Sequence, residues 1–222
     1  DSKIATANSV DSDAYVDGSI DTAHIDALQV TGAKLNTDVI SAQTELAAEP
    51  ADTDEFMVSD AGVLKRIDYS LIKGGDNTPA FHAYLGSDQS PSDATWTTAS
   101  IDTELYDTDG CFATDTYKFT PTTAGKYFFY GQAQIADNAA DNMNLYAIAI
   151  RKNTSYASMF QLDGRFTAWG DGFSATTATT LDMDGSSDYV TLYMYYDGAS
   201  GSPTVMSTAM RTFIGGFRIA GA

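Results

Sequence analysis

An apolar or aromatic residue recurs at every fifth position from Ala5 to Ile40: Ala5, Val10, Tyr15, Ile20, Ile25, Val30, Leu35 and Ile40. A period of five fits neither the turn of a helix nor the two-residue alternation of a flat strand. It predicts a wound, solenoid-like stem in which the intervening Asp, Thr, Ser and Gly residues supply the turns. About eight pentads make roughly two coils of a four-sided helix, too few to bury a continuous core, because repeat architectures need several stacked units. Three chains wound together would supply the missing neighbours. Residues 1–44 therefore read as a short, repetitive, β-structured trimeric stem, the alternative being a mostly polar, flexible leader.

The pattern changes after the stem. SAQTELAAE (41–49) has weak helical character and stops at Pro50. EFMVSD and VLKRID flank Ala61-Gly62 and predict a β-hairpin with Gly in its turn. GGDNTP (74–79) is a hinge of glycine, turn formers and proline. Residues 45–78 are thus a hairpin connector and hinge, and 79–222 a separate head. From Ala80 onward the chain reads as short strands between turns. The best runs are KYFFYGQAQI (126–135), LYAIAI (145–150), YVTLYMYY (189–196) and TFIGGFRI (212–219), spaced as in an all-β sandwich. In YVTLYMYY, Tyr189, Tyr193 and Tyr195 share one face and Val190, Leu192, Met194 and Tyr196 the other; LYAIAI is apolar on both faces. A sheet with one solvated face alternates with polar residues outward. These strands therefore predict a covered second face, most simply by neighbouring subunits.

Composition supports a folded head. Hydrophobic residues make up 43% of the 222 positions and aromatics 12%, ample for a packed core. The formal net charge is −18, from 30 acidic against 12 basic residues. No segment is a basic patch, which disfavours binding to a nucleic-acid backbone and to anionic lipid. No apolar run is long enough to span a membrane as a helix. The single cysteine, Cys111, allows no intrachain disulfide and fits assembly in a reducing cytoplasm. The N-terminus shows no basic region followed by an apolar core, and residue 1 is Asp, so it is expected to be a processing site or a cut in a longer protein.

A spaced aromatic signature runs from Asp107 through Phe112 and Phe119 to Gly125, Tyr127 and Phe129. It resembles the signature of the globular head of complement component 1q, which shares the tumour-necrosis-factor jelly roll. The closing TFIGGFRI, with Phe213, Gly216 and Phe217, resembles that family's final strand. Two positions depart: Ile101 stands where the pattern opens with Phe, and Gly131 where it ends in Phe or Tyr. The resemblance covers 80–222 and implies a jelly-roll head packed as a homotrimer about a threefold axis. Gly125 opens a strand where a side chain would crowd a turn, and Tyr127 and Phe129 lie on one strand face. The stem repeats VDGSIDTAHIDALQVTGAKL, leading into TELAAEPADTDEFMVSDAGVLKRIDYSLIKG, resemble the distal part of bacteriophage tail fibres, especially marine ones. That resemblance implies a fibre with a receptor-binding tip, attached to upstream fibre or tail proteins, assembled in the host cytoplasm and displayed on the virion.

Catalytic chemistry has little support, and the chain is not expected to be an enzyme. Its two histidines, His24 and His82, read as structural, and Cys111, between Gly110 and Phe112, as a small buried hydrophobe. No phosphate-binding loop, metal-binding His-Glu helix or nucleophile elbow is present in the sequence. With 30 acidic residues, a glycosidase carboxylate pair cannot be read from spacing. DMDGSSD places Asp182, Asp184 and Asp188 around a Gly turn, as calcium prefers, although Tyr193 stands where an EF-hand loop has its Glu. The alternative is an acidic turn between two strands. Two loops carry candidate ligand contacts: AWGDGF with Trp169, Asp171 and Phe173, and DGASGSP with Asp197 and Ser200. Trp stacks well on sugar rings, against the alternative that Trp169 packs in the core or a trimer interface. The sequence thus points to a trimeric adhesin recognising a host cell-surface glycan or protein. A purely structural virion fibre, whose head serves only to trimerise, is the alternative.

Overall fold

A computed structural model describes residues 25, 27, 29–136, 143–164, 172–199 and 202–220. The chain divides into two compact units, Asp1–Ile72 and Lys73–Ala222.

Most of the expected stem, including Ala5 to Ile20, lies outside the described residues. From 29 to 44 the chain makes turns and a 3-10 helix at Gly32–Lys34, with no strand among the described residues. Val30, Leu35 and Ile40, the last three pentad positions, are 59, 50 and 83% exposed. The helix expected over 41–49 does not form; after a turn the segment is irregular and largely exposed. A nucleus costs more than so short a segment returns when no apolar face docks it. The expected hairpin is present, as β1 (Glu55–Asp60) and β2 (Val63–Asp68). Asp60 pairs with Val63 across Ala61-Gly62, whose φ angles of 49° and 85° give the tight turn that matches strand twist. Lys65–Asp60 and Arg66–Glu55 pair along it.

The second unit holds β3 (Ala80–Tyr84), β4 (Thr95–Thr98), β5 (Thr103–Asp107), β6 (Phe112–Ala113), β7 (Lys118–Phe119), β8 (Gly125–Ala136), β9 (Met143–Lys152), β10 (Ser155–Asp163), β11 (Gly172–Met183), β12 (Val190–Gly198), β13 (Thr204–Val205) and β14 (Phe213–Arg218). One sheet runs β10-β9-β12-β7-β6. The other runs β11-β8-β14-β3-β5, with β13 also on β8. All these pairings are antiparallel, and β8 and β11 stay in register over twelve residues. In sequence, β8, β11, β13 and β14 of one sheet alternate with β9, β10 and β12 of the other. The result is an all-β jelly roll. Asn77 Oδ1 accepts the Ala220 N–H at 3.1 Å and Pro79 O accepts the Arg218 N–H at 3.1 Å, which ties the end of the GGDNTP segment to the last strand.

The aromatic signature builds the core. Phe81 stacks on Phe119 at 4.1 Å and on Phe112 at 5.3 Å, and Phe119 meets Phe129 edge-on at 5.9 Å. Tyr127 and Phe129 share the inner face of β8, their rings 5.9 Å apart. Asp107 starts the signature for a polar reason, because its Oδ2 accepts the Phe112 N–H at 2.7 Å and fixes the turn into β6. Ile101 is a buried plug, and Cys111 a buried core residue. Gly131 loses no packing: Leu192 from the opposite sheet fills the space, its Cδ1 2.9 Å from where a Cβ would stand.

The second faces of β9 and β12 are covered in part by the chain itself rather than wholly by neighbouring subunits. β4 runs beside β12, with Ala94 and Ala99 N–H bonded to Tyr196 O and Leu192 O at 2.8 and 2.9 Å. It delivers Trp96 onto Tyr195 and Tyr156, ring centroids 5.5 and 5.0 Å away. Small residues, Ala147 and Ala149, occupy β9 between these large side chains and are buried.

Candidate functional site

Strand alternation gives the sandwich two outer faces, and both carry aromatics. On the six-stranded sheet, Phe128 and Tyr130 of β8 point away from the core that Tyr127 and Phe129 enter, as do His82 of β3 and Phe213 and Phe217 of β14. His82 stacks on Phe213 at 5.0 Å, and its Nδ1 lies 3.1 Å from Tyr130 Oη. Tyr106, opposite His82 on β5, is 44% exposed. Phe217 meets Phe128 at 5.6 Å. Burial lowers the His82 pKa below its ordinary 6.5 and, with Tyr106 beside it, pushes Tyr130 up to about 12. The Tyr130 ring lies directly over Gly215, where a Cβ would stand 2.4 Å from Tyr130 Oη. This face presents a largely aromatic surface of partly exposed side chains.

The outer face of the five-stranded sheet differs. Its cross-strand rows run Tyr193–Ala149–Met159, then Tyr195–Ala147–Gln161, then Asp197–Leu145–Asp163. Trp96 caps the aromatic end with Tyr156, and the Arg151 guanidinium lies over the Tyr156 and Tyr193 rings, 5.0 and 4.3 Å from their centroids. The polar end is a cleft of about 290 Å3 lined by Asn144, Leu145, Gln161, Asp163 and Asp197. Asn144 Nδ2 donates to Asp197 Oδ1 at 3.3 Å.

The sequence-predicted site residues separate on this frame. Asp197 lies in the polar cleft. Phe173 is half-buried on the inner face of β11 rather than held out on a loop, packed on Phe160 at 6.0 Å and edge-on to Tyr146 at 6.3 Å. Trp169, Asp171 and Ser200 lie outside the described residues. The three aspartates expected to hold calcium do not converge. Asp184 Oδ1 accepts the N–H groups of Ser186, Ser187 and Asp188, each at 2.9 Å, and its Oδ2 accepts the Ser187 hydroxyl. Those bonds hold its carboxyl far below the usual carboxylate range. Asp188 Oδ2 pairs with Lys152 Nζ at 2.7 Å and accepts the Asp184 N–H, while Oδ1 accepts from Asn153. Asp182 turns to Lys126 on β8. Among the described residues, no group of three or more acidic, His or Cys side chains forms a metal-ligand set. The Asp184 and Asp188 carboxylates are occupied by the turn's own N–H and hydroxyl groups and by Lys152 and Asn153.

Trp96, Gln161 and Asn144 were not singled out by the sequence. Trp96 sits in a short polar strand, TWTT, with no glycine-rich loop to flag it. The register that brings Gln161 beside Asp197 is tertiary.

No protein-family model matches the chain, and no curated protein matches it. Among solved structures, murine APRIL at pH 8.5 is similar over 63% of this chain and 98% of its own, at 12% identity and a TM-score of 0.47. The globular domain of zebrafish complement 1qA protein covers 64% of this chain and 96% of its own, at 14% identity and a TM-score of 0.47. The Eiger TNF structure from S. frugiperda covers 64% and 93%, at 12% identity and a TM-score of 0.41. The jelly-roll assignment itself rests on the strand order and register of this chain.

Proposed function

We propose that this chain is the tip of a homotrimeric bacteriophage tail fibre, a non-enzymatic adhesin whose jelly-roll head recognises a glycan or protein on the host surface. The carrying observation is the aromatic outer face of the six-stranded sheet. Tyr106, Phe128, Tyr130, Phe213 and Phe217 remain partly exposed there within one chain, and contiguous apolar surface of that kind marks an interaction site. The occupant is the same face of two further copies, closing about a threefold axis. The first unit supports the same reading. A lone two-stranded sheet is marginal in water, yet β1 and β2 expose Met57, Val63 and Leu64 at 75, 58 and 69%. The last pentad positions are exposed as well, as expected for a stem wound from several chains.

In this reading the N-terminal side joins upstream fibre or tail proteins, and the particle is assembled in the host cytoplasm and carried on the virion. Threefold display multiplies weak single-site contacts into useful avidity. The test is adsorption: fluorescently labelled residues 1–222, applied to a panel of bacterial strains, should decorate a subset and block infection by phage carrying the same fibre. A trimer that decorates no strain, while phage bearing it still infect through other proteins, would leave the structural-fibre role instead.

A further inference from the structure

We infer that the outer face of the five-stranded sheet is a sugar site, which takes one neutral pyranose ring against Trp96 and Tyr195 with its hydroxyls in the Gln161–Asp197 cleft. This inference rests on the adhesin reading and names its site and ligand class. A pyranose has an apolar face of C–H groups and a rim of hydroxyls that both donate and accept. It therefore needs an aromatic wall next to planar polar groups, one ring-width apart. The β12 register supplies that spacing. Tyr195 and Asp197 are alternate residues on one strand face, about 7 Å apart along the strand, and Trp96 leans on Tyr195 at 5.5 Å. Across the strands, small Ala147 separates Tyr195 from Gln161, and Leu145 separates Asp197 from Asp163. The register thus sets the aromatic pair one row away from the Gln161–Asp197 cleft on the same sheet face.

Among the described residues, the polar groups have capacity to spare. Asp197 uses Oδ1 on Asn144, and Oδ2 has no partner among the described residues; neither has the Gln161 carboxamide. A carboxylate accepts, and a carboxamide donates and accepts, so the pair can serve adjacent sugar hydroxyls with charge-assisted bonds. The cleft of about 290 Å3 lies at the small end of ligand sites, which fits one ring and not an extended ligand. Charge selects among sugars. Asp197 lines the cleft of a chain with net charge −18, so uronic and sialic acids are repelled. The surface also differs from the aromatic face of the other sheet, which has no such polar cleft among its described residues and suits a protein copy.

The test uses the full chain. In Trp169→Phe, Trp96 is the remaining tryptophan and reports its own environment. Methyl glycosides of glucose, galactose, mannose and N-acetylglucosamine are titrated, with glucuronic acid and glucosamine as charged comparators. The expected result is a saturable Trp96 emission change with at least one neutral glycoside, with a dissociation constant on the order of 1 mM per site, and none with glucuronic acid. Gln161→Ala, at an exposed edge position that tolerates truncation, and Asp197→Asn should each weaken it about tenfold or more at unchanged melting temperature. Saturation-transfer NMR on Trp96→Ala should show loss of the sugar signal. No saturable change with any neutral glycoside, response to glucosamine alone, or binding indifferent to Gln161→Ala and Asp197→Asn would overturn the inference. Failures separate cleanly. Cell adsorption that survives Trp96→Ala removes this site but keeps the adhesin, whereas sugar binding without adsorption keeps the site and removes the adhesin.

Discussion

Asp184 shows how a residue that looks like a metal ligand can be a turn clamp. Its carboxylate collects three backbone N–H groups and a hydroxyl from Ser186 to Asp188, all fixed by the Gly185 turn. Gly185 has a φ of +72°, and a Cβ there would come within 2.3 Å of Ala124 N, so the turn admits no side chain. Asp184 has a folded pKa depressed from 3.8. Its contribution to stability is therefore fully present above that value and is lost as pH falls through the lower folded value. Asp184→Ala should lower the melting temperature at pH 7, and the gap from the parent should shrink below about pH 4. A chelator should leave the parent's melting temperature unchanged; a drop on chelation would restore Asp182, Asp184 and Asp188 as ligands. Carboxylate spacing was visible in DMDGSSD, but where each lone pair points was not. Phe173 teaches the same lesson: its glycine neighbours suggested an exposed loop, whereas the parity of β11 sends it inward with Ala175.

The strands are where sequence reading worked best, because period-2 burial and turn glycines are local signals. β8, β9, β12 and β14 stand where KYFFYGQAQI, LYAIAI, YVTLYMYY and TFIGGFRI predicted. What covers a second apolar face is not local, and Trp96 arrives from β4 nearly a hundred residues before Tyr195 in the chain. Packing at β8 and β14 is close enough to test. A Cβ on Gly216 would stand 2.5 Å from Phe129 Cδ1 and 2.9 Å from Phe128 O. Gly216→Ala should therefore destabilise the head by about 1–3 kcal/mol in chemical denaturation. Phe129→Ala, which empties the fully buried centre, should cost about 3–5 kcal/mol. A Gly216→Ala protein as stable as the parent would refute the packing described here.

His82 gives the six-stranded sheet a pH response. Phe213 of β14, Tyr130 of β8 and Tyr106 of β5 surround the ring, and burial depresses its pKa below 6.5. Neutral His82 is therefore favoured in the folded state. Its contribution is present above 6.5 and lost as pH falls below that value. Tyr130, at about 12, stays protonated throughout this range. Melting temperature should fall between about pH 7 and pH 5 in the parent, and less in His82→Gln. An equal fall in both would assign the effect to other groups.

At the scale of the whole molecule, the account turns on what covers the aromatic face. A −18 chain repels its own copies at long range, so self-association must come from apolar contact at short range, and one charge placed there should defeat it. Tyr106→Glu, on a half-exposed ring at the sheet edge, should leave the β-sheet circular dichroism intact and convert trimer to monomer. The five-residue period over 5–40 was legible in sequence, and in the single chain its last positions, Val30, Leu35 and Ile40, are exposed. The decisive measurement is the mass of residues 1–222 in solution by multi-angle light scattering. Three times the 23.7 kDa chain mass, falling to one chain in Tyr106→Glu, is the predicted result. A stable parent monomer would contradict the trimeric fibre tip and leave a solitary jelly roll.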